Sequence, residues 1–258
     1  MTNAQGDFVW YELMTPDADG ASAFYGAVLG WTFAPSQQPG MDYRIFSAGD
    51  EQIGGLLALT DAMREGGAQP CWLGYIAVDD IAAAINGITA AGGAIHMGPH
   101  EIPGTGHFAL MADPQGVMFY IMQDTSGVTS NAFAADGPRV GHAAWNELST
   151  TDQAGAMAFY STQFGWVKDG EMDMGPMGTY EFLRHGSVFG AMMTKQPDMP
   201  VACWSYYFRV ADIDATAATV TALGGQILYG PAEVPGGDHI ITGLDPQGAV
   251  FCVVGQRS

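Results

Sequence analysis

The stretch WYELMTPDADGASAFYGAVLGW (Trp10–Trp31) recurs as WNELSTTDQAGAMAFYSTQFGW (Trp145–Trp166). The offset is constant: Trp10 pairs with Trp145, Glu12 with Glu147, Phe24 with Phe159 and Trp31 with Trp166. Farther along, Pro70–Tyr120 aligns without a gap on Ala202–Cys252, with 23 identities in 51 positions, more than shared composition supplies. Cys71/Cys203, Trp72/Trp204, Asp80/Asp212, His107/His239 and the DPQG turns at Asp113–Gly116 and Asp245–Gly248 are among the pairs. The 258 residues are therefore a tandem duplication and not one large domain. The boundaries expected are residues 1–124 for the first domain, a turn-rich linker at 125–139, and 140–258 for the second.

Each copy divides again by pattern. An alternating strand over Phe8–Met14 runs into Asp17, a helix cap, and a helix from about Ala18 to Leu29 stops at Gly30. Alternating segments follow at Tyr43–Ala48 and Ile53–Leu59. The second half restarts with a strand at Leu73–Val78, Asp80 as cap and a helix stopped by Gly92-Gly93. Strands near Ala94–Gly98, His107–Ala112 and Val117–Gln123 complete it, the last two joined through DPQG as a hairpin. The fold class expected is α+β, with βαβββ four times over. An alternating parallel βαβ sheet would not place successive strands after each helix.

Composition narrows the partners. The chain has 27 acidic and 8 basic residues, a formal net charge of −19, which repels phosphate backbones and anionic headgroups. Nucleic acid and membrane surfaces are accordingly not expected as partners. Three scattered cysteines, Cys71, Cys203 and Cys252, make no disulfide framework. No signal-peptide pattern opens the chain and no apolar run is long enough for a span, so a cytoplasmic location is the expectation. No phosphate loop, dinucleotide fingerprint, HExxH or GxSxG occurs.

Four such modules, each opening strand–Asp–helix, with FY on the first helix of each copy and GW just after it, and a DPQG hairpin before the last strand, resemble the vicinal oxygen chelate superfamily. Glyoxalases, bleomycin-resistance proteins and extradiol dioxygenases belong to it. The resemblance covers nearly the whole chain. It implies two glyoxalase-like domains, each curling two modules into a half-open barrel around a cleft. It does not give the reaction. Carried over by position, the family's first metal ligand falls at Trp10, Leu73, Trp145 and Ser205, and its other ligand at Tyr120 and Cys252. The corresponding strands at residues 54–59 and 190–194 hold no carboxylate or imidazole. One cysteine is not a metal site, so neither a metal nor another cofactor is expected.

Strand alternation puts Glu12 on the face of Trp10, and Glu147 on that of Trp145. A carboxylate beside an indole in a cleft suits general acid–base work, or an anchor for a cationic ligand with the indole as a π face. The bland alternative has these glutamates capping a turn or pairing with Arg44 and Arg184. His107 and His239, each just after a Pro-Gly loop, are candidate proton carriers at the cleft mouth; a loop histidine bonded to a carbonyl is the competing reading. Trp10, Trp145, Tyr43, Tyr180, Tyr120, Cys252, Leu73 and Ser205 are the candidate ligand-lining residues. His96 and His100 have metal-pair spacing, but Leu228 and Ala232 stand opposite them in the second copy. His142 falls on the strand face opposite Trp145. Trp72, Trp204 and the Phe24-Tyr25 and Phe159-Tyr160 pairs read as packing.

Three functions follow from this. One is a metal-free enzyme acting on a small organic substrate through a cleft glutamate; another is a small-molecule sequestration protein. A metal-dependent lyase or dioxygenase is disfavoured by the ligand count. With both domains in one chain, a monomer or a homodimer is expected.

Overall fold

The computed structural model describes residues 3–36, 40–134 and 137–257. The first repeat runs β1 (Phe8–Thr15), α1 (Ala18–Leu29), β2 (Thr32–Pro35), β3 (Tyr43–Ala48), β4 (Glu51–Ala58) and the short α2 (Asp61–Glu65). It continues with β5 (Cys71–Ala77), α3 (Ile81–Ala90), β6 (Ala94–Ile102), β7 (Gly106–Ala112) and β8 (Met118–Asp124). The second repeat runs β9 (Ala143–Thr150), α4 (Gln153–Phe164), β10 (Val167–Asp173), β11 (Thr179–His185) and β12 (Ser187–Thr194). It ends with β13 (Cys203–Val210), α5 (Ile213–Ala222), β14 (Gln226–Glu233), β15 (His239–Leu244) and β16 (Val250–Gly255). The architecture is α+β, in two eight-stranded mixed sheets of identical order: β2-β3-β4-β1-β5-β8-β7-β6 and β10-β11-β12-β9-β13-β16-β15-β14.

The helices begin and end where local chemistry dictates. Asp17 and Asp152 each accept an N–H from the third residue beyond, and Asp80 and Asp212 each accept two. Gly30 and Gly165 close α1 and α4 with φ of 72° and 71°, a left-handed conformation open to glycine at little cost. β2 and β10 carry no sequence signal as strands and are found at the edges of their sheets, mostly exposed. No helix among the described residues is long and apolar enough to cross a membrane.

The compact units do not follow the sequence repeats. One comprises Met1–Val9, Leu73–Ser130 and Trp145–Ser205; the other comprises Trp10–Trp72, Asn131–Ala144 and Tyr206–Ser258. In the first unit the Tyr160 hydroxyl of α4 donates to Asp113 Oδ2 of the DPQG turn at 3.2 Å and accepts from Trp204 Nε1 at 3.1 Å. Trp166 stacks on Tyr160, with ring centroids 5.0 Å apart, and donates to the Gly6 carbonyl at 2.9 Å. The second unit repeats the arrangement. Tyr25 of α1 donates to Asp245 Oδ2 at 2.9 Å and accepts from Trp72 at 3.2 Å, while Trp31 donates to the Gly141 carbonyl at 2.7 Å. Each unit thus locks the first helix of one repeat onto the closing turn of the other. Tyr25, Tyr160, Trp72 and Trp204 are thus packing residues, joined in that lock by the carboxylate of each DPQG turn.

Burial pushes the Asp113 and Asp245 carboxyls above the usual range, and backbone N–H groups of the turn together with the tyrosine hydroxyl pull them partly back. His142 is buried, with Nδ1 2.7 Å from the Asn131 carbonyl and Nε2 3.2 Å from Glu51, which also pairs with Arg139.

Candidate active site

On β1, Trp10 and Glu12 project from one face, as alternation requires. Tyr43 on β3 reaches the same face, and Trp10 Nε1 donates to its hydroxyl at 3.1 Å. The second repeat builds the same cluster on β9 and β11. Trp145 Nε1 donates to the Tyr180 hydroxyl at 2.8 Å, and that hydroxyl donates to Glu147 Oε2 at 2.6 Å. An indole N–H, a phenol and a carboxylate therefore stand in series. The last bond is charge-assisted when Glu147 is ionised. Phe182 closes the aromatic corner, 6.1 Å from Trp145 and 5.7 Å from Tyr180 between centroids, both nearly edge-on.

Cys203 and Ser205 lie in the same unit as this cluster. Burial raises the Cys203 thiol above its usual value, a hydrogen bond with Ser205 lowers it, and the Glu147 charge raises it again. The balance keeps the thiol protonated at neutral pH. Arg44 pairs with Asp19 at 2.7 Å and Asp42 at 3.1 Å, and Arg184 pairs with Asp169 at 2.7 Å.

The remaining candidates divide between the two sheet faces. Tyr120 on β8 stacks on Tyr75 at 4.2 Å, with Phe108 against both rings and Leu73 buried on β5. Phe108 thus shares the face of Tyr120. His107 points the other way, paired across the strands with Gln123, whose Oε1 accepts from Ile81 N at the start of α3. His239 lies near α5: the Asp214 carboxyl, held down first by its Arg257 hydrogen bond, is lowered by His239 as well. Both histidines were expected at the mouth of the cleft; the strands place them on the helix-bearing side. Cys252 is buried, its sulfur 3.6 Å from Thr242 Oγ1. His96 and His100 are exposed on β6.

A divalent metal needs several imidazole, carboxylate or thiolate donors converging on one point. The described residues hold no group of three or more histidine, cysteine, aspartate or glutamate side chains able to do so. At the positions that the resemblance assigns to metal ligands, this chain has Trp10 and Trp145, both bonded to tyrosine hydroxyls, with Leu73, Ser205, Tyr120 and Cys252. The residues present do not fit such a metal.

The comparisons with known proteins agree with this fold. A family profile described as "Glyoxalase/Bleomycin resistance protein/Dioxygenase superfamily" matches residues 7–121 and 139–253. "Putative glyoxylase CFP32" of Mycobacterium bovis is 31% identical over 254 residues, 97% of this chain and 95% of its own length. "Anthracycline biosynthesis protein DnrV" of Streptomyces peucetius is 29% identical over 268 residues, covering 98% of this chain and 94% of its own. Among solved structures, the Mn(II)-bound glyoxalase from Novosphingobium aromaticivorans superposes with a TM-score of 0.65 at 17% identity, over 99% of this chain and 84% of that one. At that identity the likeness is one of fold. With both repeats matched from strand to closing hairpin, the chain belongs to the glyoxalase/bleomycin resistance protein/dioxygenase superfamily.

Proposed function

We propose that the protein binds a small organic molecule at the Trp145–Tyr180–Glu147 cluster and that Glu147 accepts a proton from it. The observation that carries this reading is the hydrogen-bonded series from indole to phenol to carboxylate, at 2.8 and 2.6 Å. In the free protein the Tyr180 hydroxyl occupies the place between Trp145 and Glu147 that the ligand's own hydroxyl takes over, so that Glu147 is kept poised as an acceptor. Trp145 and Phe182 supply apolar edges for the body of the ligand. The step needs no metal: a proton leaves the ligand for Glu147 and returns to it elsewhere or goes to water. The anthracycline biosynthesis relative and the glyoxylase relative support a small-molecule ligand by their names alone. The −19 charge speaks against nucleic acid and anionic membranes as partners and suits a small neutral or cationic ligand in the cytoplasm.

The second reading is sequestration without turnover, which the aromatic corner favours because it supplies contact area without chemistry. Glu147→Gln separates the two. Loss of turnover with a retained dissociation constant for the same compound establishes Glu147 as acid–base catalyst. A binder that turns nothing over in either form is a sequestration protein. Unchanged binding and turnover in the variant would sink both readings of the cluster. Prolonged dialysis of the protein against a strong chelator is expected to leave ligand binding unchanged; loss of binding restored by added metal would overturn the metal-free reading.

A further inference from the structure

The two Trp–Tyr–Glu clusters use the same residue types on corresponding strands, yet their carboxylates differ in exposure. Glu12 is 3% exposed, whereas Glu147 is half-buried. Strand register defines the row of side chains that crosses each site. In the first repeat it is Ile45, Gly55 and Glu12, and in the second Phe182, Ala191 and Glu147. Position 55 and its counterpart 191 are therefore central to each row.

A Cβ built on Gly55 would stand 1.8 Å from the Tyr43 hydroxyl oxygen and 2.2 Å from the ring carbon that bears it. The phenol of Tyr43 fills the space a methyl group would need. Ala191 has that methyl, so Tyr180 cannot settle to the same depth against its strand. Its hydroxyl stands between Trp145 and Glu147.

We propose that the residue at this position decides which cluster admits a ligand. Glycine lets Tyr43 lie down as an internal plug over Glu12, and alanine props Tyr180 up so that Glu147 is reachable. The tyrosine also displays the ligand chemistry the open cluster recognises. Trp145 offers an N–H and Glu147 an acceptor to one hydroxyl, so a small neutral molecule with a phenolic or enolic hydroxyl, displacing Tyr180, meets the same two atoms. This ligand class rests on Glu147 being the ligand-binding carboxylate; the plug does not.

The test uses the full chain, a water-soluble carbodiimide with glycinamide, and peptide mass spectrometry to follow adducts at Glu12 and Glu147. Glu147 is expected to label at least about tenfold faster than Glu12, because a buried group reacts only through local opening. Gly55→Ala raises the rate at Glu12, and Ala191→Gly lowers it at Glu147. Equal rates in the parent protein, or rates that neither substitution moves, overturn the plug. If Gly55→Ala fails to fold, Tyr43→Ala removes the plug instead, and a Glu12 that stays inert in that variant overturns it equally. A second arm adds 4-nitrophenol as the probe. Protection of Glu147 without protection of Glu12 supports the ligand class. Labelling that differs as expected but is indifferent to 4-nitrophenol removes the ligand class and leaves the plug standing.

Discussion

In one compact unit Tyr25 bridges Asp245 and Trp72 at 2.9 and 3.2 Å; in the other Tyr160 bridges Asp113 and Trp204 at 3.2 and 3.1 Å. The same three residue types hold the same geometry. On the sheet faces the repeats part. Tyr75 and Tyr120 stack beside Phe108 in the first, where the second has Tyr207 and Cys252, with Thr242 on the neighbouring strand. Leu73 is matched by Ser205 in sequence, and Gly55 by Ala191 in strand register. A buried polar lock tolerates little, because losing any member strands another without a partner. A face that only has to be filled can change residue by residue.

The sharpest way to break the equivalence of the locks is to remove a carboxylate. Asp113 accepts the Gln115 and Val117 N–H groups and the Tyr160 hydroxyl, and Asp245 accepts the matching set. Asp113→Ala and Asp245→Ala should each cost about 3 kcal/mol or more in urea unfolding at neutral pH, since several buried donors lose their acceptor together. A large loss at one site and none at the other would show that the locks are not equivalent. Tyr160→Phe and Tyr25→Phe come next, at about 1–3 kcal/mol each for one deleted buried hydroxyl.

The pH dependence sharpens the same comparison. Both carboxyls are raised, chiefly by burial, so the folded state favours the protonated group. Their contribution to stability is fully present below the ordinary aspartate value and is lost as pH rises through the raised one. Asp113→Asn and Asp245→Asn, followed by melting temperature across the acidic range, should each remove part of that decline with rising pH. A variant whose profile parallels the parent's would show that the group does not titrate in this window. Exposed Asp42 and Asp214 shift the other way, lowered first by hydrogen bonds from Arg44 and Arg257, and are expected to add little because solvent screens them.

Much of this was legible before any coordinates. The aspartate caps, the two left-handed glycines and the DPQG hairpins carry local signals, and the duplication made each of them visible twice. β2, with sequence TFAP, and β10, with VKDGEMD, were not legible, because exposed edge strands need no alternation. The exchange of helices between repeats was hidden for another reason. Tyr25 and Asp245 are 220 residues apart, and no local pattern reports a partner at that distance. The only hint was a tyrosine on an apolar helix face, whose hydroxyl must be satisfied once buried. The site was half legible. Alternation put Glu12 and Glu147 beside their tryptophans, but the role of Gly55 against Ala191 emerges only when strand register sets them in one row. The faces that His107 and His239 take follow from the register that sets them opposite Gln123 and Gly255, and such register has no local signal.

The smallest effect tests the clusters themselves. Trp145→Phe deletes the N–H that meets Tyr180 at 2.8 Å, and Trp10→Phe deletes its counterpart to Tyr43 at 3.1 Å. Both indoles are half-buried, so water can replace part of either bond, and the loss should be about 0.5–1.5 kcal/mol at Trp145 and less at Trp10. Functionally the order should widen. Without its donor, the Tyr180 phenol loses its hold on the indole and the series from indole to carboxylate is broken at its first link. Ligand affinity should fall with Trp145→Phe and stay constant with Trp10→Phe, where Tyr43 already fills the space over Gly55. Equal effects of the two substitutions on binding would mean that both clusters take ligand, and the difference between glycine and alanine would then govern packing and not access.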